Sequence, residues 1–286
     1  MTAAEARGSA LEILLSSNSE AARESPSLDA SIILSHLLGV TRSHLIAHPE
    51  TCIDSVESAF FDAINRRAKG LPVAYITGMK EFWGIQFMVT PDVLIPKPDT
   101  EILVERAISI IDRMSPHYPD PFRVLDVCTG SGCIAISLKA TRENIDITAT
   151  DISGAALAIA RFNAGLLPVA FIEGDLRSGL PTVSGGFHLV VSNPPYVPSA
   201  AAKNLLADGR NEPSLALDGG SDGLDLVRAL VDNVRTSLVS GGTLLIETGE
   251  YNAQAAAEYF RVKGFVNVLI NKDLEGMDRV IEGTRG

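Results

Sequence analysis

The sequence predicts an α/β protein: a seven-stranded, mostly parallel, doubly wound sheet with a small N-terminal helical domain. Three observations predict it. From Arg123 onward, short β-branched runs alternate with helical patterns, an order that requires parallel strands joined by crossover helices. Residues 1–70 carry no strand signal and read as helices. A glycine-rich loop, Thr129-Gly-Ser-Gly132, separates the first of these strands from its helix. In such sheets, that loop faces a ligand.

The elements follow in order. Ala3–Leu15 is rich in helix formers, with an apolar stripe at Ala10, Leu11, Leu14 and Leu15. Ser27 is placed to cap a second helix whose apolar face is Leu28, Ile32, Ile33, Leu37 and Leu38, and Gly39 stops it. A third helix spans Ser55–Lys69 and ends at Gly70. This makes residues 1–75 a helical domain. Residues 81–90, aromatic and β-branched around Gly84, read as a hairpin or bent strand, and Pro91, Pro96 and Pro98 follow. Residues 76–98 are therefore a hairpin and proline-rich connector. Asp99 or Thr100 is placed to cap a helix over Glu101–Ile111 and opens the third segment, 99–286.

Within that segment, strands are expected at Val124–Val127, Ile145–Thr150, Val169–Ile172, His188–Ser192, Gly242–Glu247, Phe265–Ile270 and Arg279–Ile281. Helices are expected at Ile134–Lys139, Gly154–Asn163, Leu224–Leu238 and Ala253–Val262. The short gap between the last two strands predicts an antiparallel pair.

Composition narrows the function. The chain has 286 residues, 46% apolar and 21% charged, long enough for one large or two small domains with a real core. The formal charge is −11. Residues 1–80 hold seven Lys/Arg and nine Asp/Glu, so most of the excess falls on residues 81–286. A dedicated nucleic-acid binder needs the opposite sign. Cys52, Cys128 and Cys133 are scattered and form no zinc pattern, which fits a reducing compartment. No run of residues approaches the ~18 apolar residues of a membrane span. Glu5 and Glu12 interrupt what a signal peptide would need. The expectation is a cytoplasmic protein without a membrane anchor.

Two motifs carry the chemistry. Asp126-Val-Cys-Thr-Gly-Ser-Gly132 joins a strand to a helix, so its glycines let backbone approach a ligand beside free helix N–H groups. Asp151 ends the next strand, 19 residues after Gly132, where an acid can bind both hydroxyls of a ribose. The loop alone also fits the dinucleotide G-x-G-x-x-A pattern, or a bare tight turn. Asp126, just before the loop, favours S-adenosylmethionine over a dinucleotide. The second motif, Asn193-Pro194-Pro195-Tyr196, closes the fourth strand, 67 residues after Asp126. Its prolines stiffen the backbone, so the carbonyls are aimed. Asn193 adds a side-chain acceptor and Tyr196 a flat face with a hydroxyl. That set suits a planar group bearing an –NH2, with Asn193 Oδ1 and the Pro194 carbonyl each accepting one N–H. On its own, the turn is equally a rigid corner with a packed tyrosine.

Taken together, these residues resemble the class I S-adenosylmethionine-dependent amino-methyltransferases. More narrowly, the chain resembles the HemK/PrmC-type release factor glutamine methyltransferases over nearly its whole length. The resemblance rests on Pro72–Gly78, Glu81–Gly84, Pro91–Glu101, Asn193–Tyr196, Asn211-Glu-Pro213, Leu217–Gly220 and Lys272–Val280. It implies a Rossmann-like methyltransferase sheet, with 99–286 as the catalytic domain and the helical domain docking the substrate. It also implies methyl transfer to the side-chain amide nitrogen (N5) of the glutamine in the Gly-Gly-Gln loop of class 1 peptide chain release factors. S-adenosylhomocysteine would be the product. The implied catalytic and substrate residues are Asn193, Pro194, Pro195 and Tyr196. The implied cofactor residues are Asp126, Cys128, Thr129, Gly130, Ser131, Gly132, Asp151, Asp175, Leu176 and Asn193. No metal is implied, and a monomer is expected. The chain departs from the family at Cys128 (usually glycine), Lys97 (arginine), Asp99 (glutamate) and Leu176 (often aromatic). No histidine falls in a motif, so no general base is evident, and the proton is expected to leave to water. The alternatives are a nucleic-acid amino-methyltransferase acting on adenine or guanine, a nicotinamide oxidoreductase, and a non-catalytic cofactor-binding module. The first conflicts with the charge, and the second leaves Asn193–Tyr196 unexplained.

Overall fold

A computed structural model describes residues 1–118, 121–207, 209 and 211–286. They form two units: Met1–Met79 with Lys203–Asn211, and Lys80–Ala202 with Glu212–Gly286.

The first unit is helical: α1 (Ala3–Leu15), α2 (Glu20–Glu24), α3 (Pro26–Leu38), α4 (Arg42–Ala47), α5 (Glu57–Ala68) and α6 (Val73–Thr77). Thr2 and Glu5 close a capping box at the start of α1. Gly39 ends α3 at φ +65°, where a side chain would be strained. Ser27 does not cap α3. The helix begins at Pro26, whose fixed φ and missing N–H suit a first turn, and Ser25 precedes it. Leu14, Ile33, Leu34, Phe60 and Ile64 are fully buried and form its core with small residues of α1. The buried Arg67 guanidinium is paired with Asp29 at 2.6 Å, as a buried charge requires.

In the second unit, β1 (Met79–Phe82) and β2 (Ile85–Met88) form a hairpin. Its two-residue turn puts both Trp83 (φ +54°) and Gly84 (φ +70°) in the left-handed region, matching the strand twist. Trp83 tolerates this because its N–H donates to Glu101 Oε1 and its indole Nε1 to Thr141 Oγ1. A 3-10 turn, Pro98–Thr100, leads into α7 (Glu101–Met114).

The sheet then follows: β3 (Phe122–Val127), α8 (Cys133–Thr141), β4 (Ile145–Asp151), α9 (Gly154–Ala164), β5 (Val169–Glu173), β6 (Phe187–Ser192), α10 (Ser199–Ala207), α11 (Asp225–Asn233), β7 (Leu238–Glu247), α12 (Ala253–Val262), β8 (Phe265–Lys272) and β9 (Asp278–Arg285). The strand order is β5-β4-β3-β6-β7-β9-β8; only the pairs made by β9 are antiparallel. The fold is the expected one. The expected helix at 224–238 is shorter, giving way to a 3-10 turn at Val234–Thr236 before β7 begins at Leu238. Strand β3 shows how the sheet is held. Phe122 and Val124 face one apolar core, while Leu125 and Val127 face the other, the two-residue period of a strand buried on both faces.

Chain order sets the site. After β3 the chain moves outward through β4 and β5, then returns to lay β6 on the other side of β3. The carboxyl ends of β3 and β6 therefore flank a topological switch point, where open α/β sheets bind ligands.

Candidate active site

At the end of β3, Asp126 is fully buried. Its Oδ2 accepts from Thr129 Oγ1 (2.6 Å) and from the Ala135 backbone N–H (3.2 Å), tying the loop to α8. Burial raises its pKa to about 7; the nearby Asp151 pushes the same way, while the Thr129 and Ala135 hydrogen bonds oppose it. The loop curls through two left-handed residues, Cys128 (φ +60°) and Gly130 (φ +54°), and a third at Gly132 (φ +82°). Gly132 permits close packing, because a Cβ there would lie 2.9 Å from Ile136 Cδ1 and 3.2 Å from Ala160 Cβ. Asp151, at the end of β4, accepts from the Gly130 N–H at 2.8 Å and from the Ser153 N–H at 2.9 Å. Burial raises its pKa, opposed by these backbone N–H groups.

The second turn leaves β6 beside the first. Ser192 Oγ donates to the Val127 carbonyl at 2.7 Å, pinning the two strand ends together. Asn193 Nδ2 donates to Thr100 Oγ1 at 3.1 Å. Among the described residues, no donor reaches Asn193 Oδ1 or the Pro194 carbonyl, so both remain free acceptors. The Tyr196 hydroxyl donates to Glu247 Oε1 at 3.1 Å, and burial raises its pKa. Residues 217–223 brace the turn from behind. Val197 N–H donates to the Leu217 carbonyl (3.0 Å) and Gly219 N–H to the Val197 carbonyl (2.8 Å). Tyr251 Oη and Asn252 Nδ2 both donate to the Tyr196 carbonyl at 3.2 Å.

These pieces surround a cavity of about 320 Å³, within the range of small-ligand sites. Cys128, Thr129, Gly130, Ser131, Asp151, Asp175, Leu176, Asn193 and Pro195 line it, as do Lys97 and Thr100. Asp126, Gly132, Pro194 and Tyr196 do not. The first two support the loop from beneath, and the last two belong to the turn behind Asn193. Leu176 is buried and held by Asn233 Nδ2, which donates to its carbonyl at 2.8 Å. Asp175 is half-buried and fixes the following turn by accepting from the Arg177 N–H. Lys97 does grip a carboxylate, but one of this chain: its Nζ lies 2.6 Å from Glu212 Oε1.

Two groups do more than their local pattern shows. Thr100, expected as a helix cap, makes no capping bond and instead turns its hydroxyl to Asn193. Glu247, fully buried at the end of β7, lies beside Tyr196 and Thr100. Its signal was present: an acid ending a buried apolar strand is the feature that singled out Asp126 and Asp151. His188 is excluded as a base. It is packed between Tyr118 and Phe122, accepts from the Arg123 N–H, and burial beside Arg123 lowers its pKa to about 4.

A switch-point cavity, a glycine loop tied to Asp151 and a rigid turn at Asn193 come together here, and the families that match the chain give its class, a methyltransferase. The PrmC N-terminal domain family matches residues 13–78, and the Methyltransferase small domain family matches residues 110–211. The chain is 39% identical to a release factor glutamine methyltransferase of Deinococcus radiodurans, over 91% of this chain and 92% of that one. It is 40% identical to the Moorella thermoacetica protein of the same name, over 90% of each. The catalytic domain of hMettl16, solved with an RNA hairpin, shares the fold (TM-score 0.56, 15% identity, 78% of this chain and 82% of that one). The chain belongs to the release factor glutamine methyltransferase family. Among the described residues, no helix is long and apolar enough to cross a membrane, and no group of side chains is arranged to hold a metal.

Proposed function

We propose that the chain methylates the side-chain amide nitrogen of the Gly-Gly-Gln glutamine in class 1 peptide chain release factors. In this reading it works in the cytoplasm as a monomer, without nucleic acid, and the helical unit docks the protein substrate. The observation that carries it is the acceptor pair at the β6 turn. Thr100 takes the Asn193 NH2, so Asn193 Oδ1 and the Pro194 carbonyl are left to accept the two N–H groups of a substrate amide.

The cavity fits S-adenosylmethionine. Asp151 offers carboxylate oxygens to ribose hydroxyls, the loop over Cys128–Ser131 offers backbone at close range, and Leu176 offers an apolar face to a base. When bound, this cofactor supplies a sulfonium methyl group. The chain's own task is orientation. A glutamine amide nitrogen is a poor nucleophile because its lone pair is delocalised, and two aimed acceptors fix the direction in which that lone pair points. The same acceptors stabilise the N–H groups as they become more acidic. The buried prolines keep water from the nitrogen, and the released proton passes to solvent.

The test uses the intact protein with methyl-labelled S-adenosylmethionine. Release factor, its Gln-to-Ala loop variant and nucleic acid are run in parallel. Label on wild-type release factor alone is expected; label on nucleic acid overturns the reading. Asn193→Ala should reduce turnover by at least about a hundredfold while product-nucleoside binding, measured by calorimetry, persists. Normal turnover in that variant removes Asn193 from the mechanism.

A further inference from the structure

We propose that Lys97 is a positioning residue: through its ion pair with Glu212 it fixes a chain segment that both lines the cavity and braces the substrate turn. The proposal deepens the reading above, in which the cavity holds the cofactor and the turn at Asn193 holds the substrate amide.

The pair joins segments 115 residues apart, with Lys97 Nζ 2.6 Å from Glu212 Oε1. Its two ends are unequal. The Glu212 side chain is 4% exposed and that of Lys97 41%. A carboxylate buried to that degree needs an opposite charge. Glu212 therefore settles where Lys97 reaches it, and not where a local hydrogen-bond ladder would put it. Residues 89–97 and 211–213 lie outside helices and strands. Pro91, Pro96 and Pro213 stiffen these stretches, but a fixed φ does not place one stretch against the other. Both stretches reach the cavity: Pro96 and Lys97 line it from the first, and Pro213, Leu215 and Ala216 line it from the second and the residues that follow.

Residues 213–219 then act as a rigid link. The Ala216 N–H donates to the Pro213 carbonyl at 2.9 Å, and the Leu217 and Asp218 N–H groups donate to the Ser214 carbonyl at 3.1 and 3.0 Å. The far end of the link is the clamp on Val197, made by the Leu217 carbonyl and the Gly219 N–H. The contact there is backbone on backbone. A Cβ at Gly219 would lie 2.7 Å from the Pro195 carbonyl oxygen and 2.8 Å from Tyr196 Cα. A displacement of Glu212 is thus carried along a hydrogen-bonded turn to residues 195–197, the continuation of Asn193. Cofactor wall and acceptor turn are set by one anchor, which suits a reaction that needs both aligned at the same moment.

The test follows wild type, Lys97→Met, Lys97→Arg and the double variant Lys97→Met with Glu212→Gln. Three readouts are taken on the intact protein: affinity for S-adenosylhomocysteine by calorimetry, the thermal unfolding midpoint, and kcat with intact release factor. Lys97→Met strands the buried carboxylate, so its midpoint should drop, and product affinity and kcat should each fall at least about tenfold. Lys97→Arg keeps the charge and a donor at the single contact and should hold affinity and kcat within about threefold. The double variant separates positioning from stability. With the stranded charge gone the midpoint should return toward wild type, while affinity and kcat stay at least about tenfold low because the anchor is still missing. Recovery of affinity and kcat together with the midpoint overturns the proposal, as do wild-type values in Lys97→Met. If Lys97→Met does not fold, the double variant decides. Wild type that leaves release factor unlabelled rejects the reading of function instead, and product affinity in the same variants then decides the role of Lys97.

Discussion

The turn after β3 is held by its own residues and by the β4–α9 unit that follows it, while the turn after β6 is held by segments far along the chain. In the first, left-handed residues at Cys128, Gly130 and Gly132 let seven consecutive residues fold back on themselves, closed by Thr129 and Ala135 onto Asp126. In the second, two prolines stiffen the chain but do not aim it. Aim comes from Thr100, Glu247, Asn252 and the loop over 217–223. In the proposed function the cofactor side of the cavity is thus coded by the loop and the unit next to it in the chain, and the substrate side by assembly over longer range. This suits their tasks, because a nucleoside needs a fixed cradle and an amide needs two acceptors aimed within tenths of an ångström.

The comparison breaks most visibly at Gly223. A Cβ there would lie 2.2 Å from the Tyr196 carbonyl oxygen, at φ +79°. Backbone cannot yield as a flexible side chain does, so Gly223→Ala should displace the turn. Turnover should fall about a hundredfold or more, since a shift of about 1 Å at a positioning group costs that much. Cofactor affinity, measured by calorimetry, should change far less. Equal losses of both would mean that the two turns are one mechanical unit.

The cofactor loop offers a finer contrast. Gly132→Ala must push against Ile136 and Ala160 as well as adopt φ +82°. Gly130→Ala meets nothing within 4 Å at φ +54°. The second should cost about 1–2 kcal/mol of stability, the ordinary left-handed penalty. The first should cost roughly 1–3 kcal/mol more, because overpacking adds to it. Urea unfolding of the two variants gives the ranking, and the reverse order would mean that α8 yields easily to α9.

The same division explains what the sequence made legible. The strands β3 and β6 are buried on both faces, so their apolar runs stand out, while β4 alternates apolar and polar residues in the two-residue period of a strand. Asp126 and Asp151 were visible because an acid closing such a run is conspicuous. Glu247 closes a run of the same kind, yet the Tyr196 hydroxyl it accepts from lies 51 residues away, and Thr100, which holds Asn193 of the same turn, lies 147 residues away. No local pattern joins these three. Thr100 was misread for a related reason. Its place before a helix suggests a cap, but the Pro98–Thr100 turn already supplies the helix start, which frees the hydroxyl for Asn193. The short helices α2, α4 and α6 give no signal in the sequence because one or two turns do not establish a 3.6-residue period.

Cys128 gives the smallest effect and the sharpest test of local coding. A cysteine at φ +60° pays about 1–2 kcal/mol that a glycine would not. Two contributions offset that gain. Glycine makes the unfolded chain freer, at a cost of about 0.5–1 kcal/mol. The cysteine side chain also packs against the core on the α11–α12 side of the sheet, contacts a glycine would lose. Cys128→Gly should therefore shift stability by less than about 1 kcal/mol in either direction and leave cofactor affinity within about threefold. A gain of about 2 kcal/mol would show that the loop stores strain its neighbours do not relieve. A loss of that size would show that the side chain, not the backbone conformation, fixes the loop, and that the two turns differ less than their geometry suggests.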